Sequence, residues 1–510
     1  MNKTHLRNII LIILLSIAAS WQLFRPGYFT MHDDLQVMRV YEMDRCLKDG
    51  QIPCRWSPDM GAGYGQPMYN FYSAFPYYLG GLIKTLGFGF IVTVKAVRGA
   101  LSESFALALL PLVAAGIISV IKDPKPTKTA LLALSVGALF STHNITTMIS
   151  APLFIILTIL FLYTHKFSVE KIIHLSMGAL LGFGLSAFFL LPVIFEKGLA
   201  HTEFLISDYY NFQNHFISLK QIFLDLRWGF GSENIGPGGQ ISFFIGFLPI
   251  AALVILPLIL LSKKLTGKRL EYLTIWVLAM GVLLMTHSKS FYIWNAIPSL
   301  AYVQFPWRFL GIFALFTSWI LAAISENYNK YRWLSIATII LLVALNFGYF
   351  RFGRLLPEMT DSIKLSGGEF ANQSKAALLD YLPKSSTAIP QEIAPDSPQI
   401  LTGRVSINYF DKRTAYFSSE FDIYTDSATI QFPVVYFPGW ELHQNRSPEV
   451  MNFEYDNDLG LITVELTAGH HLVQGFFENT PIRTVGNLLT FISALGLLTW
   501  CIFTYEKNKQ

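Results

Sequence analysis

The chain has 510 residues, 52% of them hydrophobic and only 14% charged, with a formal net charge of +4. Soluble domains carry roughly 25% charged residues, so much of this surface does not face water and the chain reads as an integral membrane protein. The small net charge, with no basic stripe interleaved with aromatics, argues against nucleic acid as a partner.

Runs approaching the length a spanning helix needs, about 20 apolar residues, recur along the chain. The first, Ile9–Phe24, follows Lys3 and Arg7 but lacks a small-residue cleavage pattern, so it reads as a retained helix rather than a removed signal. Further helices are expected near Phe105–Ile121, Ala130–Phe140, Ala151–Thr164, Ile172–Phe195 and Phe243–Leu261. Tyr272–Thr286, Phe309–Ser325, Trp333–Tyr349 and Val485–Thr504 complete a set of about ten crossings. Asn70–Leu101 is expected to lie along the outer interface, because Lys84, Lys95 and Arg98 are costly at mid-membrane; a hairpin there would raise the count to about twelve. Lys122, Lys125 and Lys128 share one loop, Lys166 and Lys171 another, and Lys263, Lys264, Lys268 and Arg269 a third. By the positive-inside rule these loops and both termini are cytoplasmic.

The reading divides the chain into a helical domain (1–350) with outer loops 25–100 and 196–240, an extracytoplasmic β-rich domain (351–481), and a final helix with a cytoplasmic tail (482–510). Phe421-Asp422-Ile423, Thr429-Ile430-Gln431-Phe432 and Ile462-Thr463-Val464-Glu465-Leu466 alternate apolar with polar, the period of half-buried strands. Pro438-Gly439, Asn457-Asp458-Leu459-Gly460 and Ala468-Gly469 mark turns between them, and a small antiparallel β-sandwich is expected. Cys46 and Cys54 share the first outer loop, where a disulfide and two free thiols are both compatible with the sequence.

The first outer loop opens with Met31-His32-Asp33-Asp34. A sheltered carboxylate serves as a general base, and a flanking imidazole tunes it, so Asp33, Asp34 and His32 are the leading chemical candidates. The plain alternative is that the two aspartates cap the helix that follows. His143-Asn144 and Arg308, at expected outer helix ends, are further candidates; their plain alternatives are a helix end and a headgroup anchor beside Trp307. Asp225, Arg227 and Trp228 are candidate substrate contacts on position alone. No Cys or His stands at metal-ligand spacing, and no Gly-Lys-Ser/Thr follows the glycines to make a phosphate loop.

Several patches together carry a resemblance. They are the His32-Asp33 pair, Gly50-x-x-Pro53-x-Arg55-Trp56-x-Pro58, Gly63-Tyr64-Gly65-x-Pro67, Thr142-His143-Asn144, Gln304-Phe305-Pro306-Trp307-Arg308 and Tyr436-Phe437-Pro438-Gly439-Trp440. In these the chain resembles the GT-C membrane glycosyltransferases, closest to the membrane proteins labelled "6-pyruvoyl-tetrahydropterin synthase-related", which are similar to the YfhO-like family. The resemblance implies transfer of a hexosyl group from a polyprenyl-phosphate sugar to a lipid, glycan or protein acceptor of the cell envelope, at the extracytoplasmic face. It also implies an acidic residue of the first outer loop as general base, which maps onto Asp33 with Asp34 second. Inverting transfer needs cationic stabilisation of the leaving phosphate, for which Arg308, then Arg98 and Arg55, are the choices. Tyr64, His143 and Asn144 are carried over as substrate contacts. No cofactor is implied with certainty; a divalent metal stays open, because such enzymes differ in metal use and this loop has adjacent Asp33-Asp34 rather than Asp-x-Asp. The readings from other classes are a transporter or lipid flippase, and a non-catalytic glycan-assembly protein.

Overall fold

The computed structural model describes residues 3–30, 34–95, 101–227, 241–261, 268–327, 332–347, 353–376 and 380–507. The expected helices form as α1 (Lys3–Ser20), α5 (Leu101–Lys122), α6 (Pro126–Thr142), α7 (Asn144–Thr164), α8 (Val169–Leu185) and α9 (Ala187–Phe195). They continue as α10 (Phe247–Leu261), α11 (Arg269–Leu284), α12 (Phe309–Asn327), α13 (Arg332–Asn346) and α14 (Pro481–Lys507). Residues 25–100, the segment expected to be the first outer loop, supply α2 (Gln36–Lys48), α3 (Phe75–Thr85) and α4 (Phe90–Lys95). At 11 residues, α3 is too short to cross a bilayer.

Among the described residues, four helices are long and apolar enough to cross a membrane, and six qualify if each of two bent pairs is one span. Only 11% of the most apolar stretch of α14 is buried, which leaves a hydrophobic surface of the kind a lipid-facing helix presents.

The sequence reads Ile172–Phe195 as one helix, but α8 and α9 meet at 73°. The cause is a hydroxyl inserted into the backbone ladder. Thr490 Oγ1 donates to Gly184 O at 3.0 Å and accepts from Phe188 N–H at 2.9 Å, bridging the two groups that an unbroken helix would pair directly. Close approach of α14 is what lets Thr490 reach. A Cβ on Gly486 would lie 2.7 Å from Ala187 O, so the contact demands glycine.

The strands expected between residues 351 and 481 form one sheet, not the expected sandwich. Its strands are β3 (Gln399–Thr402), β4 (Val405–Lys412), β5 (Tyr416–Val435), β6 (Trp440–Gln444) and β7 (Leu461–Phe477), antiparallel in the order β3-β5-β7-β6 with β4 also on β5. The expected turn at Ala468-Gly469 is instead an irregularity within β7. Pairing slips between Ile423 and Ser427 on β5, opposite Gly469 and Thr467. The alternating buried positions on β5 are Phe417, Ser419, Phe421 and Ile423 before the slip, and Ala428, Ile430, Phe432 and Val434 after it, with Ser418, Pro433 and Val435 buried as well near the strand ends. Parity switches because an irregularity in pairing exchanges the two faces of a strand, so one long ribbon imitates the pattern of two shorter ones.

The sheet's buried face packs on the loop between α1 and α5. Trp56, 1% exposed, lies 5.4 Å from the Trp440 ring and 5.1 Å from Phe477. Beneath it Gly65 has φ +87°, and a Cβ there would stand 2.6 Å from the Trp56 indole nitrogen. Gly65→Ala is therefore expected to destabilise the protein by about 1–3 kcal/mol. Thermal melting in detergent checks this, and an unchanged midpoint would mean that Trp56 shifts freely. Cys46 and Cys54 are joined by a disulfide in the same loop.

A strap from residue 353 to 376 returns to this loop before the sheet begins. In it, β2 (Leu355–Leu356) pairs with β1 (Tyr28–Phe29), and Asp361 accepts from the Phe90 and Ile91 amides at 2.6 and 2.9 Å, satisfying the open end of α4. Lys364, 2% exposed, donates to Asp34 at 2.6 Å and Glu369 at 2.7 Å.

Candidate functional site

A cavity of about 670 Å³ opens where one end of the helix bundle meets the first outer loop and the chain at Asp380-Tyr381. Its polar wall comes from separate elements: Arg39 on α2, Glu103 near the start of α5, His143 and Asn144 at the α6–α7 junction, Lys197 after α9, and Gln304 and Arg308 before α12. Phe71, Tyr72, Tyr302, Phe305, Trp307 and Tyr381 supply aromatic surface. A concave, mainly apolar chamber with a few convergent polar groups has the form of a ligand site.

Arg308 is held in a fixed pose. Its Nη1 donates to Val303 O at 2.7 Å and to Gln304 Oε1 at 2.9 Å, and its guanidinium lies 4.9 Å from the centre of the Phe305 ring. Gln304 in turn donates to Leu205 O at 2.7 Å. The backbone there is strained: Gln304 has φ +64° and ψ −54°, and the Phe305 amide closes a three-residue turn on Val303 O at 2.6 Å. Such conformations cost about 1–3 kcal/mol at a non-glycine residue and persist where the surroundings enforce them, often at functional sites. The Nε side of the guanidinium is buried without a hydrogen bond, 3.4 Å from Glu103 Oε2. No hydrogen bond to Nη2 is present either among the described residues. An Arg edge of this kind suits bidentate binding of an anion.

The neighbours complement it. His143 Nδ1 accepts from the Thr146 amide at 3.3 Å and sits 2.7 Å from Thr146 Oγ1, so the ring caps α7 while lining the cavity. Burial, and then the Arg308 charge, push His143 down to about 3, which keeps it neutral with its proton on Nε2 as a donor. Asn144 Oδ1 is buried without a hydrogen bond. Arg39 donates to the Tyr72 hydroxyl at 3.0 Å and lies 4.2 Å above its ring. Tyr381, itself at φ +66°, stacks 5.7 Å from Phe71. Burial and then Asp380 push the Tyr381 phenol upward, so it stays a neutral hydrogen-bonding group.

The structure thus brings Arg308, His143 and Asn144 of the sequence candidates together. Asp34 is elsewhere, held by Lys364 and the Tyr28 hydroxyl and absent from the cavity wall. Arg55 is also elsewhere: its guanidinium donates to Asn70, Asn479, Asn487 and Phe188 O, tying the first outer loop to α9 and α14. Burial and the nearby Arg483 lower it to about 10, and it remains charged at neutral pH. Tyr64 packs with the sheet, its carbonyl accepting from Val435 N–H at 3.0 Å. Asp225 and the exposed Arg227 form a bidentate pair, with bonds of 2.8 and 2.6 Å, outside the cavity wall. His32, Asp33, Arg98 and Trp228 lie outside the described residues.

Sequence reasoning missed Glu103, Lys197, Asp380 and Tyr381, and gave Gln304 only as part of a resemblance patch. A carboxylate at the mouth of an apolar helix was a usable signal for Glu103. Asp380 and Tyr381 gave none, since their approach depends on the strap. Among the described residues no group of three or more His, Cys, Asp or Glu side chains is arranged to hold a metal ion. No protein-family model matches the chain, and no curated protein or solved structure is significantly similar to it.

Proposed function

We propose that this chain is a membrane glycosyltransferase that moves a sugar from a polyprenyl-phosphate donor to an acceptor at the extracytoplasmic face, with about ten crossings and both termini cytoplasmic. The observation that carries the reading is Arg308, anchored through Nη1 beside a cavity, with its Nε–Nη2 edge making no hydrogen bond and only a loose ion pair to Glu103. A departing lipid phosphate gathers negative charge as the glycosidic bond breaks. A fixed guanidinium held away from bulk water stabilises that charge without first having to reorient. Neutral His143 supplies a further hydrogen-bond donor, and Lys197 a second cation. The aromatic wall at Phe71, Tyr72 and Tyr381 gives apolar faces on which a sugar ring packs.

The acceptor hydroxyl must lose a proton as it attacks the anomeric carbon. The resemblance in the first outer loop assigns that proton to Asp33. Asp33→Asn is expected to abolish transfer from a polyprenyl-phosphate sugar while the protein still folds and still binds donor. Transfer at the native rate by the purified variant would remove Asp33 from the mechanism.

A further inference from the structure

We propose that Glu103 is the displaceable counter-ion of Arg308, a positioning residue that holds the anion site closed until a phosphate takes its place. This rests on the reading of the cavity as a phosphate site and adds to it a residue and an order of events. Glu103 and Arg308 are 16% and 14% exposed, so their charges interact through protein more than through water. Yet the contact is loose: 3.4 Å separates Nε from Oε2, and Nε has no hydrogen bond. A buried donor left unsatisfied beside a carboxylate describes a pair that neutralises charge without satisfying it. A phosphate has the oxygen spacing to take Nε and Nη2 together, which the carboxylate in this pose does not do. Nη1 stays on Val303 O and Gln304 throughout, so the exchange needs movement of the Glu103 side chain alone.

The consequence is opposite in sign for the two partners. Glu103 competes with the incoming anion, so Glu103→Gln is expected to bind a phosphate headgroup about tenfold more tightly than the native protein, the scale of a partly shielded ion pair. Arg308→Gln is expected to lose that binding. The test is equilibrium binding of a long-chain polyprenyl phosphate, and separately of inorganic phosphate, to full-length protein in nanodiscs. Glu103→Ala serves as a second variant in case the amide disturbs folding. Tightening by both variants for whichever probe the native protein binds, lost again when Arg308→Gln is added, is the expected result. Native binding with no tightening in either folded variant overturns the role of Glu103 and leaves the phosphate site standing. If the native protein binds neither probe, the phosphate site itself fails and the inference falls with it.

Discussion

Arg308→Gln is expected to reduce sugar transfer by about 100-fold or more without loss of the folded protein. Removing one fixed donor from developing negative charge typically has an effect of that size. The substitution leaves Val303 O and Gln304 Oε1 without their cation; Gln304 lies on the cavity wall, where water can replace it, and the glutamine amide keeps a donor for Val303 O. Arg308→Lys separates two explanations. Lysine keeps a positive charge but has no planar fork, so a bidentate role predicts that most of the loss remains, whereas a simple headgroup anchor predicts near-native transfer. Purified variants of matched melting temperature, assayed with a polyprenyl-phosphate sugar, provide the comparison.

Glu196→Ala is expected to be the most damaging single change to stability, at about 3–5 kcal/mol, because it leaves a buried charge without its partner. Arg483 is fully buried and donates from Nε to Glu196 at 2.9 Å; the Thr480 hydroxyl donates to the same carboxylate. The pair joins the end of α9 to the start of α14, just after the sheet. Its guanidinium also lies 5.2 Å from the Phe437 ring centre and 5.0 Å from that of Phe477. Replacing both partners, as Glu196→Leu with Arg483→Met, is expected to cost less than Glu196→Ala alone. A double-mutant cycle on detergent melting measures this. A double variant as unstable as the sum of the singles would show that the two charges do not act together.

How much was legible follows from which forces act locally. The apolar segments from Ile9 to Thr504 announce themselves because a helix in lipid must bond its own backbone and cover it with apolar side chains. Their bends do not, since the break at Ser186 depends on Thr490, a residue about 300 positions away brought in by α14. The strands at Phe421 and Ile462 are legible from alternation, but a sandwich and a single ribbon with a parity switch share that pattern, and only pairing distinguishes them. In the site, Arg308 and His143 are visible because a cation or imidazole beside an apolar run is costly without a purpose. Asp380 and Tyr381 belong to the cavity only because the strap clasps the first outer loop through β1–β2, Asp361 and Lys364. Arg55 was legible as a candidate, but its place was not. Its neighbours Asn479 and Asn487 come from the far end of the chain, and they make it a tie between elements away from the cavity wall.

The most direct test of the central claim is transfer of radiolabelled sugar from a panel of polyprenyl-phosphate sugars by the purified protein, run beside Arg308→Gln. The account predicts label passing to acceptor with the native protein and at most a small residue of it with the variant. Neither transfer nor donor hydrolysis across the panel by folded native protein, or equal transfer by the two proteins, would contradict it.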